Sequence, residues 1–415
     1  MTEHALWLSP WPAEDGGPQR LGQFRQHSSP ALDLTAPLSV TAREVAVATM
    51  VVLRDPGEVF LLRHSGPPDA TSFVEQIDPE SLEAIARSEN LAGGPVWPGG
   101  IAAHANGSLY VIFGNHVHKL SAALKTECSL ALPRQRPYNS FVVLADGTII
   151  TKDFAGPYAG HDPNDSRPAQ ILAIDPTDLS VIASFDLAEA SVARLSSLDS
   201  EVVVVGTESV FSISFDGQTF REQSRTPYRT QTGQGCGWDA VLDGDVMFFL
   251  DNGDGTDRFD GSFEGRGIAT VPLRLHRVNR RTGEARSVEV SGLLNGIIAN
   301  PPALDTTRRI VVAFDSGNGI VAGIHADTLE ILWKKNLNHA AHALHDDNAG
   351  LIVLSDFDRT TGVDHAVIIE TATGREVQRI PTESLLQSAL FPSAGFNQDL
   401  YLASFTTLTR ITQAL

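Results

Sequence analysis

The chain has 415 residues, 42% of them hydrophobic, with a formal charge of −19 and a pI near 5.0. So acidic a surface repels phosphate backbones and anionic lipid, which argues against nucleic-acid and membrane-surface roles. No run approaches 18 apolar residues, and the start lacks a basic stretch followed by an apolar one, so the simplest location is cytoplasmic. The two cysteines, Cys128 and Cys236, make neither a disulfide framework nor a cysteine-rich zinc site.

In chain order, residues 1–30 read as a Pro/Gly-rich tail on the surface, and 31–415 as one all-β domain. The segment ALDLTAPLSV from Ala31 has strand character. A phrase then recurs: IDPESLEAI from Ile77, IDPTDLSVI from Ile174 and IHADTLEIL from Ile324. The starts lie near two and three multiples of about 49 residues, a period typical of stacked copies of one unit. SLEAIARS at Ser81 has helical character, but its repeat partners SVIASF and ILWKKN are strand-like, so it is expected to be a strand. Strongly β-branched second strands begin at Glu58, Ser108, Thr148, Glu201, Asp245, Arg309, Leu351 and Asp399. Each is followed by turn chemistry such as DG, DP or TG.

Four-stranded units of this length arranged radially make a β-propeller. The count favours eight blades, with seven as the alternative if the first or last unit is incomplete. The last unit, from about Ser388, has three strands before Leu415. The N-terminal strand is expected to supply the missing outer strand and so close the ring.

The strings VNRRTGEARSVEV (Val278), IIETATGREVQRI (Ile368) and HADTLEILWKKNL (His325) resemble the outer strands of quinoprotein-like propeller repeats. Trp333 matches that family's tryptophan. The resemblance implies a propeller and, in the family's dehydrogenases, a quinone stacked on tryptophan beside adjacent cysteines; this chain has no adjacent cysteines. A second resemblance is to gluconolactonase- and strictosidine-synthase-like propellers, through GGPVW at Gly93, RPYNS at Arg136 and NGIIANPPALD at Asn295. It implies metal and substrate residues at the central pore, with Asn139 and Asn295 as the matching asparagines. The family's metal-binding glutamate is Gly93 here and its aspartate is Ser140, so a calcium-dependent lactonase mechanism does not carry over intact.

Long connections between second and third strands are expected at 152–168, 251–272 and 356–365, all on one face, where they could roof the pore. Four second strands end in aspartate at one register: Asp153, Asp251, Asp315 and Asp356. These carboxylates either cap turns or, if they converge, bind a cation. The run DNGDGTD from Asp251, with Asp254, is rich in oxygen ligands suited to calcium. His339, His342 and His345 lie on an extended segment. His339 and His345 are then ~20 Å apart, too far to share a metal, but His339 or His342 could act as a base. Around the mouth the expected lining is Trp97, Tyr138, Asn139, Trp238, Asp239 and Asn295, which suits a small polar organic ligand.

Three functions follow. The first is an enzyme on a small molecule at the pore mouth, a hydrolase, lactonase, lyase or isomerase. It would use His339, His342 or Asp239, with Ca²⁺ or another divalent metal as a possible aid. The second is a non-catalytic propeller binding a protein or peptide. The third, a quinoprotein-type oxidoreductase, ranks below both.

Overall fold

The structure, a computed structural model, describes residues 5–24, 32–67, 70–158, 160–162, 165, 167–387 and 391–414. Ala31 and Ser388, used above to mark strand boundaries, fall outside them. Eight antiparallel sheets of four strands form a ring, the first seven running inner to outer in chain order, with a short extra strand, Leu91–Gly94, on the third strand of the first. Blades 1 to 7 span residues 48–87, 100–131, 138–186, 196–227, 241–289, 303–336 and 344–381. Blade 8 takes Pro392–Ala394, Asp399–Ala403 and Thr407–Gln413 from the C-terminus. Its outer strand is Leu38–Glu44, paired along its full length with Thr407–Gln413. The expected closure is thus made slightly later in the chain than Ala31, and it removes the free sheet edge. Apart from two single-turn 3₁₀ segments, Glu14–Gly16 and Thr256–Arg258, the regular structure described is β. Among the described residues no helix is long and apolar enough to cross a membrane.

The recurring phrase falls in blades 1, 3 and 6, at the turn from third to outer strand, which explains its spacing of two and three blades. Ser81 leads into a strand, Ala84–Arg87, as its repeat partners required. In each copy a leucine folds back on the turn, its N–H donating to the carbonyl four residues earlier: Leu82 to Asp78, Leu179 to Asp175, Leu329 to His325, each 2.9 Å. These leucines take φ of 61°, 64° and 62°, a left-handed conformation that costs about 1–2 kcal/mol for a residue with a Cβ. All three side chains are buried, which returns about 1.5–3 kcal/mol each. Blades 5 and 7 solve the same turn with Gly283 and Gly374. At Gly374 a Cβ would also strike Trp333, 2.6 Å away. Trp333 lies across the blade boundary there and donates its indole N–H to Thr371 O at 2.9 Å.

Two of the three expected long connections carry no strand among their described residues. The first begins with Phe154, stacked on Trp97 with centroids 4.4 Å apart. Residues 251–273 lean across the ring: Phe263 packs on Ile297 and Ala340, and its N–H donates to Gln387 Oε1 at 2.7 Å. The third is instead a long hairpin, Leu351–Asp358 with Val363–Glu370, closed by a tight turn that Asp358 caps. These features share the loop face; the first-to-second and third-to-outer turns form the opposite, hairpin face.

The leucine turns yield a stability order opposite to the usual one. Leu179→Ala is expected to cost roughly 2–5 kcal/mol through the cavity it leaves. Leu179→Gly should be less harmful than the alanine by about 1 kcal/mol, because it relieves the positive φ. Urea unfolding of the two variants checks the order.

Candidate functional site

The largest departure from the sequence reading concerns the N-terminal segment. Residues 5–24 do not lie on the surface as a tail; they run through the hairpin-face end of the ring and fill its axis. Main-chain bonds tie them to inner strands all round: Leu53 N to Trp11 O at 2.9 Å, Ala103 N to Pro12 O at 2.7 Å, Ser197 N to Pro18 O at 2.7 Å, Leu242 N to Gln19 O at 3.0 Å and His345 N to Gly22 O at 2.7 Å. Trp11 is fully buried. Gly22 must be glycine: it has φ 62°, and a Cβ would sit 2.5 Å from Ala343 O.

This plug carries charge into the centre. Glu14, Asp15 and Arg20 meet Ser140, Arg194, Asp239 and His342, contributed by blade 3 and by the connections into blades 4, 5 and 7, and all are buried. Arg20 donates to Asp15 Oδ2 at 2.8 Å, to Ser140 Oγ at 2.9 Å and to Leu195 O at 2.7 Å. Glu14 Oε1 pairs with Arg20 at 2.7 Å and with Arg194 Nε at 3.1 Å. Its Oε2 accepts from Ser140 Oγ at 2.9 Å. Asp239 Oδ1 accepts the Arg194 N–H at 2.5 Å. His342 Nδ1 stands 2.6 Å from Asp15 Oδ1, and its ring lies against Phe391 at 4.1 Å. Asp239 Oδ2 has Arg194 3.6 Å away but no hydrogen bond, and His342 Nε2 has no hydrogen-bond partner among the described residues. Asp15 and Arg20 both adopt positive φ, 53° and 59°, so the backbone is strained where it delivers its charges.

The environment pulls the two aspartates apart. Burial raises Asp239 against the opposing pull of Arg194 and Arg20. Asp15 is also desolvated, but His342 and Arg20 outweigh that and hold it below the usual carboxylate range. Nearby, Lys152 is wholly buried and pushed down to about 8 by desolvation; its ammonium donates to Asp153 O at 3.0 Å and Ser191 O at 3.1 Å.

Of the residues singled out in the sequence, Asp239 and His342 come together in this chamber, with Glu14. Their ligand atoms lie within 4.8 Å of one another. His339 does not join them. Its Nδ1 accepts the Ser355 N–H at 2.9 Å, so its proton sits on Nε2, and burial lowers it to about 3. Its Nε2 has no hydrogen-bond partner among the described residues. The four register aspartates stay in their own blades. Asp153 pairs with Arg136 at 3.0 Å and Arg134 at 3.2 Å. Asp251 takes Gln234 at 2.7 Å, His276 at 3.0 Å and the Arg274 N–H at 2.7 Å. Asp315 takes Ser291 Oγ at 2.7 Å and Asn318 Nδ2 at 2.8 Å. Asp356 takes the Asn338 N–H at 2.6 Å and Arg379 at 2.5 Å. Asp254 binds the Cys236 N–H at 2.9 Å. Asn139 is buried, donates to Val192 O at 3.2 Å and leaves Oδ1 without a partner. Asn295 is exposed and stands apart from Asn139. Trp238 and Tyr138 are buried and Trp97 half-buried, the last stacked beneath the loop at 154–169.

No family model matches the chain, and no curated protein matches it. Solved structures do. A europium-containing methanol dehydrogenase aligns with TM-score 0.66 at 10% identity, over 95% of this chain and 89% of that one. BamB from Moraxella catarrhalis aligns with TM-score 0.58 at 13% identity, over 91% and 98%. A streptogramin B lyase aligns with TM-score 0.50 at 10% identity, over 86% and 98%. The fold these structures share with the chain is the β-propeller. At these identities the likeness extends to the fold alone.

The donor set of Glu14, Asp239 and His342 is close enough to hold a metal ion, but two guanidinium groups already occupy the place of a cation on Glu14. An imidazole nitrogen and so few oxygens also suit calcium poorly. Divalent ions, with or without chelator, are therefore expected to leave the thermal midpoint unchanged; a site at 100 times its dissociation constant would add about 2.7 kcal/mol. The aspartates give a second expectation. Because folding lowers Asp15, its contribution is present above the ordinary carboxylate range and fades as pH falls through its folded value. Because folding raises Asp239, its charged form costs stability as pH rises through the window above its ordinary value. Relative to wild type, Asp239→Asn should thus gain stability as pH rises from about 4 to about 7, whereas the deficit of Asp15→Asn should stay constant over that range and shrink below about pH 4, as urea unfolding across these pH values would report.

Proposed function

We propose that the protein is an enzyme acting on a small molecule in its axial chamber, a hydrolase or lyase in which His342 and Asp239 move protons. The observation that carries this reading is the pairing of His342 Nδ1 with Asp15 at 2.6 Å, while Nε2 has no hydrogen bond among the described residues and ligand atoms of His342 and Asp239 lie within 4.8 Å of each other. A carboxylate that accepts from Nδ1 fixes the tautomer and leaves the Nε2 lone pair to take a proton. Asp239, raised by burial, is suited to hold a proton and return it to a leaving group. Two acidic groups driven in opposite directions is the pattern of an acid–base pair. Phe391, against His342 at 4.1 Å and under the Arg194 guanidinium, gives the chamber an aromatic wall suited to an organic substrate, and no metal is needed for either proton transfer. A metal-assisted version would require Glu14 to give up its arginines.

A second reading, a propeller that binds a partner and performs no chemistry, is favoured by one fact: the buried charges form ion pairs that would brace the plug whether or not a substrate exists. The two readings separate on one residue. A panel of chromogenic esters, lactones and eliminable substrates should reveal a turnover that His342→Gln reduces by about 10²–10⁴-fold, with the variant's circular dichroism and thermal midpoint close to wild type. Full activity in a folded His342→Gln protein would remove the base; no turnover across the panel would favour the scaffold.

A further inference from the structure

Four asparagines are followed by glycine: Asn106, Asn252, Asn295 and Asn318. Such a step is open to self-cyclisation, because glycine has no Cβ to crowd its own nitrogen as it swings onto the asparagine Cγ. The two reacting groups belong to one short stretch of chain, so the rate depends on how freely each can reach the other. Hydrogen bonds on either group oppose the reaction, since they must be given up before the ring closes.

Three of the four steps are tied down. Asn106 donates from Nδ2 to Tyr110 Oη at 2.8 Å and accepts the Ser108 N–H at 3.0 Å. The Gly107 N–H is held by His104 O at 2.9 Å. Asn252 is buried; its Oδ1 accepts the Gly235 N–H at 2.9 Å and its Nδ2 donates to Val271 O at 3.2 Å. The Gly253 N–H is held by Cys236 O at 2.8 Å. Asn318 donates from Nδ2 to Leu294 O at 3.2 Å and to Asp315 Oδ2 at 2.8 Å.

Asn295 differs. It is exposed on the loop face, and its side chain makes no hydrogen bond among the described residues. The Gly296 N–H, which supplies the attacking nitrogen, has no acceptor among them either. Asn295 also takes φ of 59°, a left-handed setting that is strained for a residue with a Cβ. Its own N–H and carbonyl are the fixed parts. The N–H donates to Ala269 O at 2.9 Å, and the carbonyl lies so close to Gly267 and Gly317 that a Cβ on either would strike it.

We propose that Asn295–Gly296 is a site of spontaneous isoaspartate formation. The Gly296 nitrogen attacks Asn295 Cγ, its proton passes to solvent base, and ammonia leaves, giving a five-membered succinimide. Water then adds to one ring carbonyl and breaks its bond to that nitrogen. Opening at the former side-chain carbonyl gives aspartate; opening at the main-chain carbonyl gives isoaspartate, with the chain running through the former side chain. Either product adds a negative charge. In the isoaspartyl form the carbonyl now seated against Gly267 and Gly317 becomes a free carboxylate, which loosens the contact between residues 251–273 and the entry to blade 6. The site lies apart from the proton chemistry assigned to His342 and stands or falls without it.

The experiment ages the folded full chain in mildly alkaline buffer at physiological temperature and follows the four steps by mass-spectrometric peptide mapping. Isoaspartate is read separately by labelling with an isoaspartyl methyltransferase. Acid is expected to accumulate at Asn295 at least about tenfold faster than at Asn106, Asn252 or Asn318, the factor that one retained hydrogen bond is worth. In urea the four steps should react at similar rates. Asn295→Gly, which suits the positive φ, should remove most of the methyltransferase label from the folded protein. An amide that persists at Asn295, equal rates at all four steps in the folded protein, the same ranking in urea, or a label undiminished in Asn295→Gly would each overturn the proposal.

Discussion

A ring of eight wedge-shaped sheets leaves a hole along its axis that the inner strands alone cannot fill, and everything distinctive in this protein follows from how that hole is closed. Protein interiors are packed to the density of organic crystals, so an empty shaft through the middle would forfeit contacts along every inner strand. Here the chain closes it with its own N-terminal segment. Trp11 supplies bulk, and main-chain bonds to blades 1, 2, 4, 5 and 7 satisfy peptide groups that the short inner strands leave unpaired.

Filling the axis with residues 14–20 has a consequence for electrostatics. Glu14, Asp15 and Arg20 are taken out of water and have to be met by opposite charges in the wall. Arg194, Asp239 and His342 meet them, each from a segment leading into a different blade. The chamber is therefore a product of the plug and not of the propeller alone. Its acid and base groups exist as a set only because a remote part of the chain arrives between them. The strained backbone at Asp15 and Arg20 shows that their placement overrides local preference.

The loop face is closed as well, by other means. Phe154 on Trp97 covers one side, and Phe259 and Phe263, held by Gln387, cover the other. Between the loops above and the plug below, the chamber's charged side chains are buried, which strengthens each charge interaction among them.

Blade number, strand register and ring closure were legible in the sequence, because each depends on short-range patterning. The alternation of apolar residues sets the faces of a strand. The turn after Ile77, Ile174 and Ile324 is fixed by residues within five positions of one another. A missing outer strand at the C-terminus demands one from the N-terminus. Asp239 and His342 were visible as polar residues on segments that lead into inner strands. Their partners were not, because Glu14, Asp15 and Arg20 lie in a stretch whose Pro/Gly content and charge look like a solvated tail. Nothing local distinguishes a buried carboxylate from an exposed one; the difference is made with the help of Arg194 and His342, more than a hundred residues away. For the same reason the aspartates at 153, 251, 315 and 356 shared a register without sharing a site: register fixes height along a blade, while the radial geometry of the ring fixes distance between blades. The sequence by itself determined the ring. Only the tertiary structure decided what fills it, because that rests on contacts between segments that no local pattern connects.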